Sequence, residues 1–342
     1  MRSADFDYPL PLERIAQEPL AERDASRLLH LTPDGAIEDR AFLDLPGLLN
    51  PGDLLVVNDT RVRRARLRGV DDAGRAVELL VIARESDGRY QCLARPARLA
   101  TPGAVLRIGA DLQAIVVGVS AMHRGGRTVI FDADNPDAAI ESEGAAPLPP
   151  YIHTDLRDPE RYQTTYATGD PDSAAAPTAG LHFTARMIDR LRDARIGWST
   201  LRLDVGLATF APIRTERIED HPMHEERYTL PATTVEAIGH AQRHGGRVVA
   251  VGTTVVRVLE TCARDGTLQA GSGTTRLFIH PGHRFHAVDG LLTNFHQPRS
   301  SLLVLLAAFI GDDRWRSAYA HALGAEYRFL SLGDCMLCWR AG

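Results

Sequence analysis

The sequence contains no lysine, so all 39 of its basic residues are arginine. This absence excludes a Schiff-base lysine and a pyridoxal phosphate anchored on one. It also excludes a P-loop, because the lysine of that motif must reach the β and γ phosphates of a nucleotide. Several large classes of enzyme are thereby removed from consideration.

Cysteine is scarce, and long apolar runs are absent. Four cysteines in 342 residues do not make a disulfide framework. The first 25 residues hold no apolar run, so neither a secretory signal nor a transit peptide fits. The longest apolar stretch, SLLVLLAAFIG at 301–311, is too short to cross a bilayer and predicts a buried helix. These features predict a reduced, cytoplasmic protein with no membrane partner.

A formal net charge of −5 argues against a protein that coats nucleic acid, since such binding neutralises many phosphates. Local basic patches remain open. In RVRRARLRG at 61–69, alternation predicts Arg64, Arg66 and Arg68 on one face of a strand. That row of arginines suits either phosphate contacts or the solvated edge of a sheet.

The chain shows two regimes of patterning. From about 53 to 133, short β-rich runs separated by turn formers predict a small antiparallel barrel or sandwich. From about 150 onward, helical and strand patterns are mixed, and the proline-rich stretch ESEGAAPLPPYI at 141–152 marks the boundary.

Local signals predict three helix starts in the second regime. Thr184 is placed to cap one helix, and Thr233 with Glu236 forms a capping box for a helix to about residue 244. In VVAVGTTVVRVLE, a buried strand ends at Gly252, and Thr253 and Thr254 open a helix. Amides and hydroxyls at such a start bind a carboxylate or phosphate in some proteins and serve only as an ordinary cap in others.

Two motifs have a metal-like appearance. HPMHEERY at 221–228 matches neither H-E-x-x-H nor H-x-x-E-H, so we predict no metal there. CMLC at 335–338 has no partner pair, and its two cysteines are interpreted as packing residues.

Three further polar residues stand at breaks between apolar runs. PTAGLHFT delivers His182 just before a helix, as either a packed residue or a catalyst. In LLTNFHQPRSSLL, Asn294 and His296 interrupt an apolar segment, where polar side chains usually have a hydrogen-bonding reason to be present.

The full set of motifs, in this order, resembles the S-adenosylmethionine:tRNA ribosyltransferase-isomerase family of queuosine biosynthesis. The similarity extends from residue 5 to about 338. The matching stretches are FDYPLPLERIAQEPLAERDASRLL, DLLVVNDTRVRRARLRG, LPPYI, YQTTYA, AAPTAGLHFT, LDVGLATFAPI, HPMHEERY, VVAVGTTVVRVLE, TRLFIHPGHRF, VDGLLTNFHQPRSSLL and YRFLSLGDCML.

The resemblance implies an α/β catalytic domain with a mixed sheet, built from residues 1–61 and 149–342 and interrupted by an inserted antiparallel β-barrel domain at 62–148. It implies that S-adenosylmethionine is a co-substrate rather than a recycled cofactor. The family transfers and isomerises its ribosyl part onto 7-aminomethyl-7-deazaguanine at the wobble position in the tRNA anticodon stem-loop. The products are epoxyqueuosine in the tRNA, adenine and methionine.

This chemistry suggests roles for particular residues. The sulfonium acidifies the hydrogens on the 5′ carbon, so a general base there starts the rearrangement. The catalytic candidates are His182, Asp204, Glu226 and His296. The substrate-binding candidates are Asp59, Arg61, Thr178, Gly180, His224, Gly252, Thr253, Thr254, Arg257 and Asn294.

Within that set, two assignments stay open. The methionine carboxylate is assigned either to the helix start at Gly252 or to Arg257. His224 and Glu226 either bind adenosine, position the amine, or only pin a loop through hydrogen bonds.

The chain departs from the pattern of the family it resembles at three positions. Asp204 replaces the usual histidine of T-L-H-V-G, Ala208 replaces a glycine, and Arg64 replaces a proline. These departures leave two alternatives: a paralogue that delivers the ribosyl fragment to a small-molecule amine, and a non-catalytic RNA-binding protein of the same fold.

Overall fold

The computed structural model describes residues 1–120, 125–263 and 266–341, except for the side chains of residues 207 and 208. The chain divides into two compact units, Met1–Arg61 with Pro149–Gly342, here called the α/β unit, and Val62–Leu148, the barrel unit. Among the helices of the described residues, none is long and apolar enough to cross a membrane.

Fifteen strands and seven α-helices are assigned over these described ranges. The strands are β1 Arg27–Leu31, β2 Ile37–Ala41, β3 Leu54–Asn58, β4 Arg66–Val70, β5 Ala76–Arg84, β6 Tyr90–Arg95, β7 Val105–Ile108, β8 Leu112–Val119, β9 Gly126–Asp132, β10 Gly197–Leu203, β11 Glu226–Leu230, β12 Val248–Val251, β13 Gly271–Thr275, β14 Gly290–Asn294 and β15 Cys335–Trp339. The helices are α1 Leu45–Leu48, α2 Pro136–Glu143, α3 Ala185–Asp193, α4 Ala232–Arg243, α5 Thr253–Cys262, α6 Ser301–Ile310 and α7 Asp312–Gly324.

The α/β unit is built on a nine-stranded mixed sheet in the order β13-β11-β10-β3-β12-β14-β15-β1-β2. Its central strands β3, β12, β14 and β15 are buried at every residue, as their β-branched and apolar runs favour. Val56 and Val57 illustrate the arrangement, since these neighbours belong to separate hydrophobic clusters on the two faces. The sheet therefore has a core on both sides.

Helix starts show where local signals succeed and fail. The Thr184 hydroxyl accepts from the Met187 amide, so the predicted cap of α3 is confirmed, and α6 is the buried helix predicted for the apolar stretch. The capping box is wrong, because α4 begins at Ala232 after Pro231, with no side-chain cap. Proline fixes a helix-compatible φ and sets the start instead.

The barrel unit is a closed six-stranded antiparallel barrel in the order β4-β5-β6-β9-β8-β7. The predicted fold class, a mixed α/β sheet interrupted in sequence by a β-barrel, is confirmed. The predicted arginine row holds for Arg66 and Arg68, which flank the buried Leu67 in β4, but it is wrong for Arg64, which lies before the strand. Arg66 makes a 2.7 Å ion pair with Glu78 on the neighbouring strand β5.

The CMLC motif lies in β15, in the middle of the large sheet. Cys335 and Cys338 are fully buried and belong to the clusters on opposite faces. Burial raises the pKa of both thiols. The pair therefore has no geometry for a shared metal or a disulfide, and its interpretation as packing residues is confirmed.

Candidate active site

Four neighbouring strands of the large sheet, β10, β3, β12 and β14, run parallel. Their carboxyl ends meet at one edge, the usual ligand side of an open α/β sheet. The candidate residues at or just beyond these ends are Asp59, Arg61, Asp204, Gly252, Thr253, Thr254, Asn294 and His296.

A cleft of about 610 Å³, here called the main cleft, lies in this part of the α/β unit. Six of the candidate residues line it: Thr178, Gly252, Thr253, Thr254, Asn294 and His296. They come from three separate stretches of sequence. The fold thus brings together several of the motifs that sequence reasoning singled out.

Hydrogen bonds connect the wall of the main cleft to His182. The Thr178 hydroxyl donates to Asn294 Oδ1 at 2.9 Å, and Asn294 Nδ2 lies 3.3 Å from His182 Nε2. His182 Nδ1 in turn lies 2.8 Å from the hydroxyl of Ser26. If the Asn294 amide donates to Nε2, the proton of the neutral ring is on Nδ1.

Both candidate histidines are neutral near pH 7. Burial lowers the pKa of His182 to about 4 and that of His296 to about 3. The backbone of His296 is anchored, because its N–H donates to the Tyr319 hydroxyl at 2.8 Å and its carbonyl accepts from Tyr8. His296 Nε2 lies 2.9 Å from the Thr293 hydroxyl.

The start of α5 forms one wall of the main cleft. Gly252 has φ +92°, a backbone conformation that residues with a side chain rarely adopt. It turns the chain from β12 into the helix. Thr254 is buried, and its hydroxyl has no hydrogen-bond partner among the described residues. A buried hydroxyl without a partner beside a cleft indicates a ligand contact.

A second space of about 500 Å³, here called the side cavity, adjoins the main cleft, because Thr209 and Leu302 line both. His224, Glu226 and Arg257 line the side cavity. Among the described residues, the side cavity is therefore lined by a carboxylate and a guanidinium group, whereas the main cleft is lined by neither.

Glu226 and Arg257 form an ion pair within that wall, with side chains only 5% and 7% exposed. Glu226 Oε1 also accepts from the Gly206 amide at 2.9 Å and the Thr209 hydroxyl at 3.1 Å. Both carboxylate oxygens are thus already hydrogen-bonded. The remaining candidate here, His224, is exposed at the rim.

Besides His182, four candidate residues line neither the main cleft nor the side cavity. Asp59 is bound by Thr168 and Arg202, at 3.0 and 3.3 Å, and Arg61 faces Glu160 at 3.8 Å.

Asp204 accepts from Thr60 at 3.2 Å and pairs with Arg227 at 3.2 Å, and burial raises its pKa. At Gly180, an added Cβ would lie 2.0 Å from the Tyr166 hydroxyl, so close packing requires glycine. The side chain of Ala208 lies outside the described residues.

Sequence reasoning missed three polar residues that the structure places at the site. Ser26 contacts His182, Thr209 contacts Glu226, and the Tyr151 hydroxyl at the main cleft lies 2.7 Å from Ser331. Each belongs to a stretch that carried the family resemblance. Ser26 and Tyr151 lie more than a hundred positions from their partners, and Thr209 lies 17 positions from Glu226. No local spacing rule connects any of the three pairs.

Metal-ligand groupings are absent from the part of the chain that the structure describes, since no three His, Cys, Asp or Glu side chains cluster suitably.

Comparisons with known proteins identify the family of the chain. A profile of the family described as "Queuosine biosynthesis protein" matches residues 3–338. The chain is 49% identical to the S-adenosylmethionine:tRNA ribosyltransferase-isomerase of Moorella thermoacetica, over 98% of this chain and 99% of that one. The protein of the same name from Azoarcus sp. is also 49% identical, with 98% and 97% covered.

A solved structure gives the same result for the fold. The crystal structure of S-adenosylmethionine tRNA ribosyltransferase from Thermotoga maritima is similar with a TM-score of 0.56 and 38% identity, covering 98% of this chain and 99% of that one. The chain belongs to the family of queuosine biosynthesis proteins.

Proposed function

We propose that this chain is an S-adenosylmethionine:tRNA ribosyltransferase-isomerase of the cytoplasm. It transfers and isomerises the ribosyl moiety of S-adenosylmethionine onto the aminomethyl group of 7-aminomethyl-7-deazaguanine, at the wobble position of a tRNA anticodon stem-loop. Epoxyqueuosine in the tRNA, adenine and methionine are the products. The names of the full-length relatives support the reaction.

One observation carries the proposal. Residues from the separate family motifs AAPTAGLHFT, VVAVGTTVVRVLE and VDGLLTNFHQPRSSLL line a single cleft at the carboxyl edge of the sheet. That cleft holds a buried hydroxyl that has no partner among the residues the structure describes, and a neutral histidine, His296. Both are features of a ligand site.

We assign the general base to His296 rather than to Glu226. His296 lines the main cleft, is unprotonated at neutral pH, and has a fixed backbone. Glu226 already accepts from the Gly206 amide and Thr209 and pairs with Arg257. His182, which bonds to Asn294 in the cleft wall, is assigned a positioning role.

The reaction is tested by incubating the protein with S-adenosylmethionine and quantifying free adenine and methionine. Three tubes contain no RNA, an anticodon stem-loop with guanine, and the same stem-loop with 7-aminomethyl-7-deazaguanine. The proposal predicts release of both products only in the third tube. Release without RNA would instead favour hydrolysis or a small-molecule acceptor, and no release in any tube would favour a binding protein.

The base assignment is tested with His296→Gln. Loss of a general base lowers turnover by about 10²–10⁴-fold, whereas affinity for S-adenosylmethionine should change only slightly. The matched control is His240→Gln, at the exposed end of α4, which should turn over normally. Turnover of His296→Gln within threefold of wild type would show that His296 is not the general base. Threefold corresponds to about 0.7 kcal/mol in activation free energy.

A further inference from the structure

The main cleft and the side cavity differ in charge. Among the described side chains, the main cleft is lined by apolar residues, hydroxyls and amides, and its histidine, His296, is neutral. The side cavity contains the buried pair of Glu226 and Arg257. A ligand with one uncharged end and one charged end therefore matches the two spaces in only one orientation.

Arg257 is held rigidly and still has a donor to offer. Its Nε donates to the Leu277 carbonyl at 3.0 Å, and its Nη1 pairs with Glu226. Its Nη2 is buried and has no hydrogen-bond partner among the described residues. Leaving such a charged donor unsatisfied is unfavourable, so the position suits a ligand oxygen.

Apolar side chains surround this donor. Met223, Phe278, Leu302 and Leu305 line the same cavity, with Ile279 and Leu277. A carboxylate attached to a short methylene chain has the matching composition, with oxygens for Arg257 and apolar methylene groups for the walls.

We propose, resting on the proposed function, that the side cavity binds the methionyl end of S-adenosylmethionine, with its carboxylate accepting from Arg257 Nη2. The uncharged adenosyl end then occupies the main cleft, where the Thr254 hydroxyl lacks a partner. The sulfonium, which joins the two ends, lies where the cavities meet at Thr209, a residue bound to the Glu226 carboxylate.

The assignment chooses between two anchors for the carboxylate. The start of α5 opens into the uncharged main cleft, whereas Arg257 supplies a full charge and a geometrically fixed donor. The helix start is thus left for the nucleoside, whose hydroxyls and ring nitrogens both donate and accept.

The experiment compares ligands with and without the carboxylate. Calorimetric titration of the full chain measures Kd for S-adenosylmethionine and for its decarboxylated analogue. Wild type should bind the analogue at least about tenfold more weakly, the value of one charge-assisted hydrogen bond. Equal affinity of wild type for the two ligands would overturn the assignment, and this comparison needs no variant.

A variant adds a second arm. The Arg257→Met protein should bind the two ligands with equal affinity. Its affinity for methionine should fall at least about tenfold, while its affinity for adenine stays within about twofold of wild type. The matched control is Arg276→Met, which removes an exposed arginine paired with Glu225 at 3.2 Å. Undiminished discrimination by a folded Arg257→Met protein would refute the role of Arg257.

The two proposals fail differently. If wild type discriminates against the decarboxylated ligand, Arg257→Met does not, and no adenine is released with modified RNA, the proposed reaction is wrong and the binding assignment stands. If adenine is released normally and discrimination is absent, the binding assignment alone is wrong.

Discussion

The ion pair of Glu226 and Arg257 gives a prediction about stability that follows from its burial. Their side chains are 5% and 7% exposed, so neither charge is well hydrated. Removing one member of such a pair leaves the other charge uncompensated and costs about 3–5 kcal/mol. Glu226→Met also strands the amide of Gly206, which adds roughly 1–3 kcal/mol.

The double variant Glu226→Met/Arg257→Met contains no stranded charge. Only the neutral groups that the pair had served, such as the Leu277 carbonyl, lose a partner. We expect the double variant to be destabilised by about as much as one single variant. The coupling free energy between the two positions then equals the cost of the other single variant, at least about 3–5 kcal/mol.

Urea unfolding followed by tryptophan fluorescence measures these differences. All three tryptophans, at 198, 315 and 339, belong to the α/β unit, so the signal reports on the unit that holds the pair. The exposed pair of Glu225 and Arg276 is the control, and each of its single variants should change stability by at most about 1 kcal/mol. Additive single effects at 226 and 257, within about 0.5 kcal/mol, would refute the reasoning.

Three further predictions follow from individual contacts. Burial holds the pKa of His182 near 4, below its ordinary 6.5. As the pH falls, the unfolded chain therefore takes up a proton at His182 first. The stability that neutral His182 contributes to the folded protein is lost as the pH falls below about 6.5. The stability difference between wild type and His182→Gln should shrink by about 2 kcal/mol between pH 7 and pH 5 in urea titrations, and a difference independent of pH would contradict this. Gly180→Ala should lower stability by about 1–3 kcal/mol, because its Cβ would lie 2.0 Å from the Tyr166 hydroxyl. Thermal unfolding should show part of that loss recovered in Gly180→Ala/Tyr166→Phe, and an equal loss in both backgrounds would count against the clash. Asp204→Asn should keep adenine release within about threefold of wild type, since Asp204 lines neither the main cleft nor the side cavity; a loss of a hundredfold or more in the release assay would place it in the chemistry.

Much of the fold was predictable from local patterning. The run VVAVG predicted a buried strand because β-branched residues favour strands, and SLLVLLAAFIG predicted a helix by its length and apolar character. The start of α4 was not predictable in this way, because Pro231 and the capping box at Thr233 indicate different first residues. The helix begins directly after the proline.

The candidate site was predictable in composition but not in arrangement. Ser26 and His182 are 156 positions apart, and only tertiary packing brings them within a hydrogen bond. Likewise, the sequence identified Glu226 as a catalytic candidate, whereas its hydrogen bonds to Gly206 and Thr209 depend on how β10 and β11 lie together. Such contacts between distant segments have no signature in local spacing.

In the proposed reaction, the ribosyl carbons of S-adenosylmethionine become part of the RNA. The most direct measurement uses S-adenosylmethionine labelled with ¹³C in its ribosyl group only and a stem-loop bearing 7-aminomethyl-7-deazaguanine, followed by nuclease digestion and mass spectrometry. The proposed reaction predicts that each modified wobble nucleoside carries all the labelled carbons of one ribosyl unit. No other nucleoside should carry label. Unlabelled RNA together with free labelled ribose or an unchanged co-substrate would contradict it.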